Sequence, residues 1–179
     1  IENGLTTDWE SYQPPVPKKL GETVFDDYPL DRLVPYIDWT PFFISWSLAG
    51  KYPAILTDEV VGEAARDLFD NAQTMLKDLV EKKLVTAKAV FKLEPASRSA
   101  ADDLEVYADE SREVVTHTFF HLRQQSDKAT KQPNYSLADY IAPKDTSAKD
   151  YLGGFTVSIF GAEEMAVDYR AKGDDFSAI

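Results

Sequence analysis

Between Thr57 and Lys83 the apolar residues Val61, Ala65, Leu68, Ala72, Met75, Leu76 and Leu79 return every three or four positions, while Asp67, Asp70, Lys77 and Asp78 mostly fall elsewhere. Side chains so spaced lie on one side of a 3.6-residue helix, which predicts a long amphipathic helix near 57–83. Its ends agree with the helix dipole: Thr57 as cap with Asp58 and Glu59 in the first turn, and Lys82-Lys83 at the finish. The period then falls to two. Ala87, Ala89, Phe91 and Leu93 alternate with Lys88, Val90 and Lys92, the pattern of a half-buried strand. Leu104 with Val106, the run Val114 to Phe120, and Phe155, Val157 and Ile159 after Gly153-Gly154 predict further strands. Polar, turn-rich segments at 95–103 and 108–112 link them. Phe42, Trp46 and Ala49 predict a short helix over Pro41 to Leu48, with Thr40 as cap, Pro41 at the first helical position and Gly50 at the stop. Ala162 to Ala171 reads as a helix stopped by Gly173, followed by Asp174-Asp175-Phe176-Ser177 as the capped first turn of another. Helices mixed with short strands, without regular strand–helix–strand spacing, define an α+β fold: a twisted antiparallel or mixed sheet packed with helices.

Composition narrows the picture. A chain of 179 residues that is 44% hydrophobic and 12% aromatic supplies one real core. Tyr12 to Lys19 holds three prolines, which fix φ and withhold amide donors, so residues 1–29 are expected to form an extended strap ahead of a domain at 30–179. With 31 acidic and 19 basic residues the net charge is −12, which opposes nucleic acid and anionic membrane as partners. The absence of cysteine removes disulfides, thiolate metal sites and a cysteine nucleophile, and agrees with a cytoplasmic location. No apolar run approaches the roughly 20 residues that span a bilayer. A helix that begins at Asp174 and has one turn cannot repay its nucleation cost, so the chain is expected to be a fragment or to fray there.

Most titratable clusters have ordinary explanations. His117 and His121 stand four apart, but the β-branched and aromatic residues around them favour a strand, and structural histidines outweigh metal ligands. Asp102-Asp103, Asp109-Glu110 and Glu163-Glu164 are adjacent pairs whose side chains diverge, which fits solvated turns and first helical turns rather than acid–base chemistry. There is no phosphate-binding glycine motif and no nucleophile elbow. No catalytic residue and no metal ligand is therefore expected. Asp38 differs, because it stands directly ahead of Trp39, Phe42, Phe43 and Trp46. As a helix cap it would bond its own backbone. As a ligand group it would hold an ammonium or another donor beside aromatic walls. Pattern alone leaves both open.

The peptides PYIDWTPFF (35–43), WSLAGKYP (46–53), HLRQQ (121–125), LADYIAPK (137–144) and DYLGGFTV (150–157) occur in an order that resembles the activation domain of cobalamin-dependent methionine synthase. The likeness runs from Pro14-Pro15-Val16-Pro17 to Gly173-Asp174-Asp175-Phe176, nearly the whole chain. It implies a reactivation module of a methyltransferase in methionine biosynthesis, binding S-adenosylmethionine for reductive methylation of cob(II)alamin to methylcobalamin. Asp38 matches the family's ligand-binding aspartate. The resemblance further implies that cobalamin is held by a neighbouring module of the same enzyme, and that flavodoxin or a flavoprotein reductase brings the electron. Two departures stand out: the family's Arg-Pro-x-Pro-Gly-Tyr-Pro segment is absent, and Lys92 stands where a small residue is common. The chain alone is thus expected to be incomplete for ligand binding and not catalytic. The alternative is a truncated or stand-alone docking module for a cobalamin protein or flavoprotein, without S-adenosylmethionine.

Overall fold

The computed structural model describes residues 4–99, 102–129 and 132–179. The chain divides into two units, Ile1–Val24 with Val90–Thr156 and Phe25–Ala89 with Val157–Ile179. Strands β1 (Gly21–Tyr28), β2 (Thr86–Arg98), β3 (Leu104–Tyr107), β4 (Val115–Phe119) and β5 (Asp150–Phe160) run in the order β1-β2-β3-β4, with β5 also paired to β2. The pairings β2–β3 and β3–β4 are antiparallel, with Ala96 opposite Val106 and Leu104 opposite Phe119. Helices are α1 (Trp39–Ser45), α2 (Gly62–Glu81), α3 (Ala162–Ala171) and the short α4 (Asp175–Ala178). This is the expected α+β class.

In the second unit, the core gathers Phe43, Ile55, Ala65 and Leu68, with Trp39, Phe42, Trp46, Leu48 and Phe69 packed against them. The apolar stripe of α2 supplies Ala65 and Leu68, as its periodicity requires. The helix starts at Gly62, not Thr57, because Asp58 captures two backbone amides ahead of it. Its Oδ1 accepts from Val60 N at 2.8 Å and Val61 N at 3.0 Å, while Ala54–Thr57 forms a separate 3-10 turn. At the far end Lys82 reaches back to Asp78 at 2.7 Å. α1 begins at Trp39, two residues before the expected start, since Asp38 and not Thr40 is the cap. Residues 30–36, ahead of that cap, form two 3-10 turns, Leu30–Arg32 and Val34–Tyr36. α3 has its expected limits, with Glu163 and Glu164 in the first turn. Gly173, at φ 77°, takes the left-handed conformation that ends it, and Asp174 then caps α4 by accepting from Ser177 N at 3.0 Å.

The first unit is built on the C-terminal part of β2. That strand passes through Pro95 to Arg98, residues expected to turn, and Pro95, Ala96 and Ser97 are buried. β1 is a further strand that no alternation announced, its residues being half-buried or exposed throughout. Leu104, Val106 and Tyr107 of β3 are buried, as are Ala138 and Ala142. Arg112 is an anchor for this unit. Its guanidinium lies over the rings of Tyr107 and Tyr151, at 5.7 and 5.6 Å, and donates to Ala96 O, Ser97 Oγ and Asp150 O at 2.7–3.0 Å. Trp9 is buried, edge-on to Tyr12 at 5.9 Å, and Asp8 folds the adjoining turn by accepting from Glu10 N and Ser11 N.

Candidate functional site

Asp38 has an extended backbone, φ −81° and ψ 109°, and its Oδ1 accepts from Thr40 N at 3.0 Å. It is therefore the N-cap of α1, the local role its sequence position allowed. The residue is exposed, and its second carboxylate oxygen has no hydrogen-bond donor among the described residues. Exposed Tyr36 and Ile37 precede it, and half-buried Trp39 and Thr40 follow.

The aromatic cluster behind Asp38 is mainly core. Trp39 meets Phe42 and Phe69 edge-on at 5.4 and 4.9 Å, and Phe43 stacks on Tyr52 and Phe69 at 6.4 and 6.3 Å with no exposure of its own. Trp46 contacts Phe176 of α4 at 4.9 Å. Thr40 Oγ1 accepts from Tyr52 N at 3.3 Å, which ties the start of α1 to the following loop. Asp38 thus stands at the exposed start of a helix whose rigidity comes from rings packed beneath it. That geometry presents one carboxylate oxygen to a cationic or donor group without the cost of burying a charge.

Sequence reasoning missed a second charged constellation, in the first unit. Asp139, with a side chain 1% exposed, accepts from Arg98 Nη1 at 3.0 Å and from Arg123 Nη2 and Nη1 at 2.6 and 2.8 Å. Arg123 also holds Asp102 through Nη2 at 2.5 Å and Nε at 3.1 Å. Asp102 therefore lies in a part-buried ion pair and not in the solvated turn its sequence context suggested. Asp139 additionally accepts from Ser136 N at 2.9 Å, closing a capping box around the 3-10 turn Leu137–Tyr140. The Arg123 hydrogen bonds hold the Asp139 carboxyl below the usual carboxylate range, against the opposing effect of burial, and push the Arg123 pKa up. Nearby, Lys144 bonds Glu105 at 2.7 Å and lowers its pKa, while burial raises that of Tyr107. A cavity of about 640 Å³ between residues 4–9 and this hub is lined by Trp9, Arg98, Arg123 and Lys144. Each acid of the hub is paired with a base, the arrangement of a structural ion-pair network.

His117 lies exposed on β4, and His121 places Nδ1 3.2 Å from Phe119 O beyond the strand, so the two do not converge. Among the described residues no group of acids and histidines could hold a metal ion, and no helix is long and apolar enough to cross a membrane. Asp109 accepts from Ser111 N in a turn, and Glu110 accepts from Tyr151 Oη at 2.9 Å.

The α+β fold agrees with the class of protein to which the chain is similar. Residues 29–179 match the family described as vitamin B12 dependent methionine synthase, activation domain, and the chain belongs to it. It is also similar to a crystal structure of the MetH reactivation domain bound to AdoHcy, with 43% identity and a TM-score of 0.89. The match covers 99% of this chain and 54% of that one, so the chain spans about half the length of the protein it resembles.

Proposed function

We propose that this chain contributes to S-adenosylmethionine binding in the reactivation of a cobalamin-dependent methionine synthase, with Asp38 as a ligand-binding residue. The observation that carries the proposal is the 43% identity, over almost the entire chain, to a reactivation domain bound to AdoHcy. AdoHcy is what remains when S-adenosylmethionine gives up its methyl group. The free oxygen of Asp38 fits a ligand of this kind, since an exposed carboxylate can face an ammonium or sulfonium while its other oxygen keeps the helix capped.

The work of the chain is positioning. When bound, S-adenosylmethionine supplies a methyl group already activated on sulfur, so no general acid or base is required of the protein. Asp38 would hold the cationic end, and the packed rings of Trp39, Phe42 and Phe69 keep the helix start from shifting. In this proposal a neighbouring module holds the cobalamin, and an electron from flavodoxin or a flavoprotein reductase accompanies methyl transfer to restore methylcobalamin from cob(II)alamin. The chain takes part in a homocysteine methyltransferase and is not catalytic alone.

Asp38→Asn is the informative substitution, because Asn caps a helix as well as Asp does and the change removes only the charge. In a protein containing the rest of the reactivation domain, it is expected to weaken S-adenosylmethionine binding by about 1.5–3 kcal/mol, with the melting temperature unchanged. Calorimetric titration of both proteins measures this, and equal affinities would remove Asp38 from the site. The 179-residue chain alone is expected to bind far more weakly, since one exposed carboxylate leaves most polar groups of the ligand unpaired. Micromolar affinity in the isolated chain would contradict this.

A further inference from the structure

Arg123 and Arg98 both grip Asp139, but they use their donors differently. Arg123 engages all five N–H groups, on Asp102, Asp139 and Asn134 O. Arg98 engages one, from Nη1 to Asp139 Oδ1 at 3.0 Å, and its Nε and Nη2 find no acceptor among the described residues. Those two nitrogens form the side edge of a planar guanidinium, whose parallel donors match the two oxygens of a carboxylate. Asp139 does not fill that edge, because both its oxygens are already taken by Arg98, Arg123 and Ser136 N.

Arg98 lines the open cavity of about 640 Å³ between residues 4–9 and the hub, a size within the range of small-molecule sites. Its side chain is only 19% exposed, so a bond formed on its edge is partly shielded from bulk water. A second unpaired charge lines the same cavity. Asp145 is exposed, and its carboxylate has neither an ion pair nor a hydrogen bond among the described residues. Buried Trp9, with half-buried Leu5 and Pro143, gives the cavity an apolar wall. Lys144 also lines it but is bonded to Glu105, and Arg123 is held by Asp102 and Asp139, so no excess of positive charge draws a polyanion.

We propose that this cavity binds a free α-amino acid with an apolar side chain. The ligand carboxylate pairs with the Nε–Nη2 edge of Arg98, its ammonium with Asp145, and its side chain packs on Trp9 and Leu5. Opposite unpaired charges in one cavity select a zwitterion, since a simple anion or cation would leave one of them without a partner. A peptide fits less well, because its chain carries the ammonium and the carboxylate on different residues. The inference rests on the first unit alone, and is independent of Asp38 and of S-adenosylmethionine binding.

The test titrates L-methionine, an unbranched apolar amino acid, into the full 179-residue chain. Calorimetry gives the affinity, and nuclear magnetic resonance follows the Arg98 Nε–H and Trp9 indole signals. N-acetyl-L-methionine, which lacks the ammonium, and L-methioninamide, which lacks the carboxylate, are titrated alongside. L-methionine is expected to bind one-to-one, to shift both signals, and to bind at least about tenfold more tightly than either analogue. Asp145→Asn, at an exposed position, should leave the melting temperature unchanged and abolish the preference over N-acetyl-L-methionine. Arg98→Lys can keep one bond to Asp139 but lacks the side edge, and should abolish the preference over L-methioninamide. Asp38→Asn, in the other unit, should change nothing. Four results would each overturn the proposal. They are no binding of L-methionine, equal binding of either analogue by the parent chain, an undiminished preference in Asp145→Asn, or loss of binding in Asp38→Asn.

Discussion

Asp139→Ala is expected to destabilise the first unit by about 3–5 kcal/mol, the cost of removing one partner from a buried ionic network and leaving the others unpaired. The carboxylate accepts from two guanidinium groups and one backbone amide, and its side chain is almost fully buried. Alanine would strand Arg123 and Arg98 with reduced partners and open the capping box at Ser136. Urea unfolding followed by circular dichroism measures the loss, and a change below about 1 kcal/mol would mean that solvent already screens the network. The acid limb adds an independent check. The folded pKa of Asp139 lies below its unfolded value, near 3.9, so its contribution is complete above that value and disappears as pH falls through the lower folded pKa. Glu105, lowered by Lys144, acts in the same direction. Stability should therefore decline below about pH 4 in the parent protein, and the decline should be shallower in Asp139→Ala, which lacks the titrating group.

Phe43→Ala is expected to cost about 3–5 kcal/mol in the other unit. Phe43 has no solvent exposure and touches the rings of Phe42, Tyr52 and Phe69, so truncation leaves a cavity bounded by side chains that cannot all move inward. Trp39 and Trp46 pack against the same cluster and report on it by fluorescence during denaturation. A loss near 1 kcal/mol would show that the rings collapse into the space. Because the cap at Asp38 opens the helix that carries Phe43, the same substitution should also loosen the candidate ligand site.

What could be read from the sequence was whatever depends on neighbours a few positions away. α3 kept its limits because dipole-matched acids, a glycine stop and a following cap all act within a turn of the helix. The start of α2 moved because Asp58, expected inside the first turn after a Thr57 cap, uses its carboxylate on the amides of Val60 and Val61 ahead of Gly62. β2 ran past Pro95 because a proline forbids only its own amide bond, and the residues after it found partners in β3. β1 has no buried face to announce it. The charged hub was invisible for a plainer reason: Arg98 and Asp139 are 41 positions apart, Arg123 and Asp102 are 21, and no local pattern encodes such pairs. The peptides around them, HLRQQ and LADYIAPK, marked the family without revealing that Arg123 and Asp139 meet. At Asp38 two roles were open, and the geometry fills one with a single oxygen while leaving the other oxygen available.

The hub joins four separated points of the chain by charge where the other unit uses packed aromatic rings. Warming lowers the hydration penalty of paired ions, whereas the gain from burying apolar area levels off. The corner around Arg123 therefore belongs to the part of the protein least weakened by heat, and in a thermal melt tracked residue by residue its amides should be among the last of this unit to exchange.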